Sequence, residues 1–267
     1  MSEIITSRQN ERVKEAAKLR SARQRAKQGR FLIDGAREIG RAIDTGIDVI
    51  EAFVCKELCN GEEARIVERR LAAERVSLVT PEVFQKLSFR ERHDGIFVVA
   101  RTPERLLENL VLPLQPLVAV LVGLEKPGNI GAILRTADGA GIDATVVVDG
   151  GTDLFNPHTI RASLGTVFNA NVCTASIADT VTKLREWQLT IVVTRPDATR
   201  LYTEVDYFDG AAIVLGNEAT GISPMWPEQF VTTVHLPMQG IADSLNVSVT
   251  GAIMFYEAVR QRNLQEP

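Results

Sequence analysis

Along this chain, short apolar runs alternate with longer stretches of helical periodicity. Residues 11–28, rich in Ala, Lys, Arg and Glu, predict a helix. Gly29 is its natural stop. Phe31-Leu32-Ile33 predicts a strand, and a helical pattern follows over 36–44. Strands are predicted at 49–54, 76–79 and 96–100, with a helix over 62–74 and a short one opening at Pro81. Strand and helix alternate, so residues 1–101 predict a small α/β domain. Residues 102–116, bounded by Thr102-Pro103 and by Pro113 and Pro116, predict a linker.

Residues 117–267 predict a second domain. It opens with Leu117-Val118-Ala119-Val120-Leu121-Val122, an uninterrupted apolar run suited to a parallel strand covered on both faces. Further strands are predicted at 145–148, 189–193, 211–215 and 231–236. Helices are predicted over 130–140, 157–164, 179–187 and 247–262. The pattern implies a parallel sheet with helices on both faces, whose ligands collect at the carboxyl ends of the strands.

Composition changes this picture little. At 45% hydrophobic and 24% charged, the 267 residues are ordinary for a globular protein. No apolar run approaches the roughly 20 residues that span a bilayer, so no membrane association is expected. The first residues show no secretory pattern, and Glu3, Glu11 and Glu15 argue against a transit peptide. Cys55, Cys59 and Cys173 read as reduced thiols of a cytoplasmic protein.

Charge is more informative. The net charge is −4, yet residues 1–101 carry 20 Lys/Arg against 16 Asp/Glu. Nine basic residues (Arg8, Arg12, Lys14, Lys18, Arg20, Arg23, Arg25, Lys27, Arg30) fall between positions 8 and 30, with only two acids. Such a run can neutralise nucleic-acid phosphates. It can equally be a solvated helix face.

Three loops carry candidate chemistry. The first runs from Gly123 to Thr136 and contains Asn129-Ile130-Gly131 and Arg135. Asn129 is a good helix N-cap. With a helix starting there, Asn129 and Arg135 lie nearly two turns apart and could project toward a common side. Arg135, set among Ile133, Leu134 and Ala137, should have a partner or a task. The second loop is Leu215-Gly216-Asn217-Glu218-Ala219-Thr220-Gly221-Ile222-Ser223. Ile222 stands where a phosphate-cradling loop needs Lys, which excludes an ATPase of that kind. The third is Leu236-Pro237-Met238 followed by Ser244-Leu245-Asn246-Val247-Ser248, a strand end, a polar loop and a helix N-terminus. Ser244 and Asn246 are both N-cap types. No metal site is expected, because His93, His158 and His235 are scattered. Neither a Gly-x-Ser-x-Gly elbow nor a Gly-x-Gly-x-x-Gly turn is present.

In this order the three loops resemble the SpoU (TrmH-like) RNA ribose 2′-O-methyltransferases of the SPOUT superfamily. Arg161-Ala162-Ser163-Leu164-Gly165 is a weaker echo. The resemblance is strong over 117–262. Residues 1–101 resemble the family's small RNA-binding domain less specifically. It implies a C-terminal trefoil knot, S-adenosylmethionine as cofactor and a homodimer with composite active sites. By position, the implied cofactor residues are Leu215, Gly216, Asn217, Gly221, Leu236, Met238, Ser244 and Leu245. The implied catalytic residues are Asn129, Arg135, Glu218, Ser244 and Asn246. Arg135 would bind the target phosphate and stabilise alkoxide charge, with Asn129 and Asn246 orienting it and the ribose. Glu218 would hold its loop or pair with a cation. Asp138-Gly139-Ala140-Gly141, in place of an aromatic-glycine pair, and Asn217, in place of a small residue, depart from the family pattern. The two-domain layout implies structured RNA as partner, with ribosomal RNA first and transfer RNA second. Two other classes stay open: a non-catalytic RNA-binding protein of the same fold, and a small-molecule α/β enzyme.

Overall fold

The computed structural model describes residues 4–89, 94–149, 153–216, 226 and 231–264. The chain forms two compact units, one of Met1–Glu104 with Phe155–Phe168, the other of Arg105–Leu154 with Asn169–Pro267.

The first unit holds a four-stranded sheet. Its strands are β1 (Arg30–Asp34), β2 (Val49–Val54), β3 (Val76–Leu78) and β4 (Ile96–Arg101), in the order β1-β4-β2-β3. β4 runs antiparallel to both neighbours, and β2 runs parallel to β3. The helices are α1 (Glu11–Lys18), α2 (Ala22–Gln28), α3 (Ala36–Asp44), α4 (Glu62–Arg70) and α5 (Pro81–Leu87). One core joins Val13, Ala16 and Leu19 of the α1 region to Val83, Phe84 and Leu87 of α5 and to Phe53 and Phe97 of the sheet.

The single helix predicted over 11–28 is instead two. The chain breaks after Lys18, buries Leu19 and restarts at Ser21. A break frees carbonyls that an unbroken helix would bond. The buried Arg25 guanidinium supplies the missing donors, at 2.9 Å to Leu19 O and 2.9 Å to Arg20 O. Gly29 does stop α2, in the left-handed region at φ 60°.

Phe155–Phe168 lies in this unit because of its aromatic ends. Phe155 stacks on Phe31 of β1 with ring centroids 4.6 Å apart, and Phe168 approaches Phe31 at 5.9 Å. α7 (Pro157–Ala162) runs between them. The turn beyond it is tight. Leu164 adopts φ 53° and Gly165 φ 88°, while Arg41 donates to Leu164 O at 2.6 Å. A Cβ on Gly165 would meet the Arg41 side chain at 3.3 Å.

The second unit is built on seven parallel strands, ordered β7-β6-β5-β10-β8-β11-β9. They are β5 (Leu117–Val122), β6 (Ala144–Val148), β7 (Val172–Ala175), β8 (Thr190–Thr194), β9 (Arg200–Leu201), β10 (Ala211–Gly216) and β11 (Val231–His235). The sequence pattern did not announce β7 and β9, which are four and two residues long. The helices are α6 (Pro127–Gly139), α8 (Ile177–Glu186) and α9 (Val247–Asn263). Alternate strand residues point to opposite faces. Val118, Val120, Val146 and Val214 share a core with Ile177, Val181 and Leu184 of α8. Leu215, the next residue along β10, faces α9 instead, where a Cβ on Gly251 would lie 2.8 Å from its Cδ1. Helices therefore flank both faces, and glycine at 251 lets α9 lie against the end of β10.

Candidate active site

α6 begins one turn earlier than predicted. Lys126 is its N-cap and Pro127 its first residue, where a missing N–H costs nothing. Asn129 is therefore not the cap. It sits in the first turn with its own N–H bonded to Lys126 O at 3.0 Å, which leaves its side chain free for other work. α9 begins after Asn246, whose Oδ1 accepts the N–H of Ser248 at 2.9 Å. Asn246 is thus the N-cap, and Ser244 lies two residues outside the helix, exposed.

These two helix starts meet. α6 and α9 pack together, and Asn246 Nδ2 donates to Asn129 Oδ1 at 3.3 Å. At the other end of the pair, Tyr256 Oη donates to Gly139 O at 3.4 Å. The first and third sequence motifs, 117 residues apart, are joined by one side-chain hydrogen bond.

Arg135 occupies a different side of α6. Six residues amount to about 240° of rotation and about 9 Å of rise, not two full turns. Asn129 is half-buried, whereas Arg135 is exposed and makes no hydrogen bond or ion pair with the described residues. Its apolar neighbours Ile133, Leu134 and Ala137 point into the core.

The segment after β11 has the character of a ligand cradle. Leu236, Met238 and Leu245 are half-buried, as is Gly216 at the end of β10, and Leu215 is buried. Residues 237–245 make no backbone–backbone hydrogen bond with the described residues, so their main-chain groups are open to a partner. Apolar side chains beside free N–H and C=O groups suit a molecule with a flat ring and polar edges. Asn217, Glu218 and Gly221 of the second motif lie outside the described residues, as does His93. Among the described residues no cluster of His, Cys, Asp or Glu could hold a metal, and no helix is long and apolar enough to cross a membrane. His158 is exposed, and His235 is held by Arg200 O at 2.9 Å from its Nδ1.

Sequence reasoning passed over Ser248. Its hydroxyl donates to Asn246 Oδ1 at 2.7 Å, beside its own N–H. The signal was visible in the sequence as a hydroxyl residue two places after an N-cap asparagine.

The model of the SpoU rRNA Methylase family matches residues 116–256. The chain belongs to this family. Residues 10–98 match an MRM3-like substrate binding domain. The chain is 29% identical over 252 residues to the 23S rRNA (guanosine(2553)-2′-O)-methyltransferase RlmP of Bacillus subtilis, covering 94% of this chain and 97% of that protein. It is 28% identical to the 23S rRNA (uridine(2479)-2′-O)-methyltransferase of Streptomyces viridochromogenes, over 97% and 92% of the two chains. A crystal structure of an RNA 2′-O ribose methyltransferase superposes with a TM-score of 0.85 at 42% identity, covering 98% of this chain and all of that one. The SpoU methyltransferase AviRb from Streptomyces viridochromogenes, in complex with AdoMet, gives 0.84 at 25% identity, covering 96% and 99%.

Proposed function

We propose that this chain is an S-adenosylmethionine-dependent methyltransferase that modifies a ribose 2′-hydroxyl of ribosomal RNA. The observation that carries this reading is the Asn246–Asn129 hydrogen bond, which brings two family motifs together at the carboxyl ends of parallel strands. Relatives that match along both units and are named as 23S rRNA 2′-O-methyltransferases support the choice of RNA.

The cofactor supplies an electrophilic methyl group. Leu236, Met238 and Leu245 would enclose its ring, with main-chain groups of 236–245 and Gly216 holding its polar edges. Leu215, Asn217, Gly221 and Ser244 complete the pocket in this reading. The protein must then hold a ribose hydroxyl in line with the methyl group and stabilise the charge that develops. Arg135 carries a guanidinium and makes no hydrogen bond or ion pair among the described residues, so it binds the target phosphate and stabilises the alkoxide.

Asn129 and Arg135 leave α6 on different sides. That separation supports a homodimer in which Arg135 of one subunit completes a site built on Asn129 and Asn246 of the other. Val249 and Tyr256 are exposed on α9, consistent with a covered face there. The return of the chain from β11 to α9, packed on α6 and on β10 two strands away, supports a threaded C-terminal knot. Residues 1–101 choose the RNA and 117–267 perform the transfer, in the cytoplasm.

The test is methyl transfer from labelled S-adenosylmethionine to 23S rRNA and tRNA transcripts, with the modified position mapped. Label at one rRNA ribose is the expected result. Label on tRNA alone would replace rRNA as the substrate, and none on either would refute the reading.

A further inference from the structure

The hydrogen bonds around Asn246 have a fixed direction. Its Oδ1 accepts the Ser248 backbone N–H at 2.9 Å and the Ser248 hydroxyl at 2.7 Å. A backbone N–H can only donate, so this end of the Asn246 amide is its oxygen. The other end is the NH2 group, which can only donate, and it faces Asn129 at 3.3 Å. Asn129 must therefore present its own oxygen to Asn246. That leaves Asn129 Nδ2, with its donors, for whatever enters the site. A helix cap on α9 thus sets which way an amide on α6 points. Asn129 lies in the first turn of α6 with its backbone N–H already bonded, so its part in recognition is confined to the side chain.

We propose that Asn129 acts as a hydrogen-bond donor to the target ribose 2′-oxygen, and that Asn246 and Ser248 are positioning residues that hold it in that polarity. The proposal rests on the methyl-transfer reading of the same site. As the oxygen–methyl bond forms and the sulfur–methyl bond breaks, the hydroxyl proton passes to water and the oxygen carries negative charge in between. A donor aimed at that oxygen binds it more tightly in the transition state than in the ground state, so the effect falls on kcat. Asn129 itself gains and loses no proton. The Ser248 backbone N–H, which can only donate, excludes the turned-over Asn246 amide, and the Ser248 hydroxyl adds a second bond that holds the capping oxygen in place.

The experiment uses the full-length protein with labelled S-adenosylmethionine and saturating 23S rRNA transcript. Asn129→Asp keeps size and supplies acceptors in place of the donor. We expect kcat to fall by about 100-fold or more, with unfolding temperature and cofactor affinity unchanged. Asn246→Ser keeps a good N-cap without the donor to Asn129. We expect kcat to fall about 10-fold at unchanged unfolding temperature, less than for Asn129→Asp because the Asn129 amide can still find the productive orientation part of the time. Ser248→Ala should lower kcat a few-fold, and Ser248→Thr should restore it, a rescue that a loosened helix start would not show. Asn129→Asp with at least half the wild-type kcat would overturn the proposal. So would an unchanged kcat in Asn246→Ser, or variants that weaken RNA binding alone and leave kcat intact. If the wild-type chain methylates no RNA, the functional reading itself fails. An active wild type with an active Asn129→Asp sinks only the donor assignment.

Discussion

Arg25 lies in a run of nine basic residues and is 3% exposed, while Arg135 lies among apolar residues and stands in solvent. In each case the sequence neighbours point the wrong way. On a helix, burial is decided by the face a residue occupies, and neighbours in sequence sit about 100° apart. Ile130, Ile133, Leu134 and Ala137 of α6 fall at i, i+3, i+4 and i+7, one buried stripe, and Arg135 at i+5 lies about 150° from its centre, on the opposite side of the helix. Four arginines of the first unit hold the fold together. Arg25 closes the break between α1 and α2, and Arg20 donates to the carbonyls of Lys86, Leu87 and Ser88 at the end of α5, at 2.8, 3.0 and 2.7 Å. Arg8 bonds Glu82 O at 2.9 Å, and Arg12 engages Ser77 and Glu51. In the second unit Arg135 is unengaged among the described residues. An arginine without a structural partner is available to a substrate.

The widest separation between the two arginines should appear in activity. Arg135→Ala should reduce methyl transfer by about 100-fold or more while leaving the unfolding temperature and cofactor binding unchanged. A variant that transfers at the wild-type rate would end its catalytic assignment. Arg25→Ala should do the reverse. The buried Leu19 carbonyl and the part-buried Arg20 carbonyl would lose their donors, at about 1–3 kcal/mol for the buried one if no water replaces it. Urea unfolding should register a loss of about 2 kcal/mol or more, with kcat preserved in the folded fraction. A loss below about 0.5 kcal/mol would mean that the break between α1 and α2 needs no such clasp.

These contrasts show what was legible. Most strands, the two α/β regions and the strand-to-helix loops at the starts of α6 and α9 follow from apolar runs and turn residues; the short β7 and β9 did not, and 217–223 lie outside the described residues. Pro127 also carried the true start of α6, since proline at the first helical position outranks asparagine two residues later. The break at Leu19 was hidden, because Ala, Lys, Arg and Glu favour helix over most of 11–28 and its one local mark is Ser21, the N-cap of α2. The placement of Phe155–Phe168 was hidden too. Ring stacking on Phe31 is a contact across more than a hundred residues, which no periodicity reports. The Asn129–Asn246 bond was legible only through family resemblance, since spacing alone cannot bring residues 129 and 246 together.

The thiols extend the comparison to alkaline solution. All three cysteines are buried and free, and burial raises each thiol above its usual range. Cys173, on β7, is pushed up to about 12. Its folded pKa is raised, so the folded state holds a proton that the unfolded chain releases above about pH 9. The stabilisation is complete below that point and is lost as pH rises from about 9 toward 12. By about pH 10.5 the loss from Cys173 alone should approach 2 kcal/mol. Cys173→Val should flatten this part of the pH–stability curve. An equally steep fall in the variant would place the alkaline loss elsewhere, with the buried Tyr207, also raised by desolvation, as the next group to test.

The smallest effect tests the basic run itself. Lys14 and Lys18 of α1 pair with Glu11 and Glu15 one turn away. On α2 and at the start of β1, Arg23, Lys27 and Arg30 are exposed and make no hydrogen bond or ion pair with the described residues. Arg23 and Lys27 share a helix face at i and i+4. Arg30 stands opposite Arg101 in the β1–β4 register, but it is Arg101 that pairs with Asp48, at 3.1 Å. Phosphate contacts should therefore come from α2 and the first residue of β1, not from α1. Neutralising Arg23, Lys27 and Arg30 to Gln should weaken rRNA binding about 10-fold and lower the salt slope of log affinity by up to about 2. Neutralising Lys14 and Lys18 to Gln should change affinity less than about twofold, because each cation already has a counterion on the same helix. Equal losses from both sets would mean that RNA reads the run as one charged strip, and the division between structural and available cations in the first unit would be wrong.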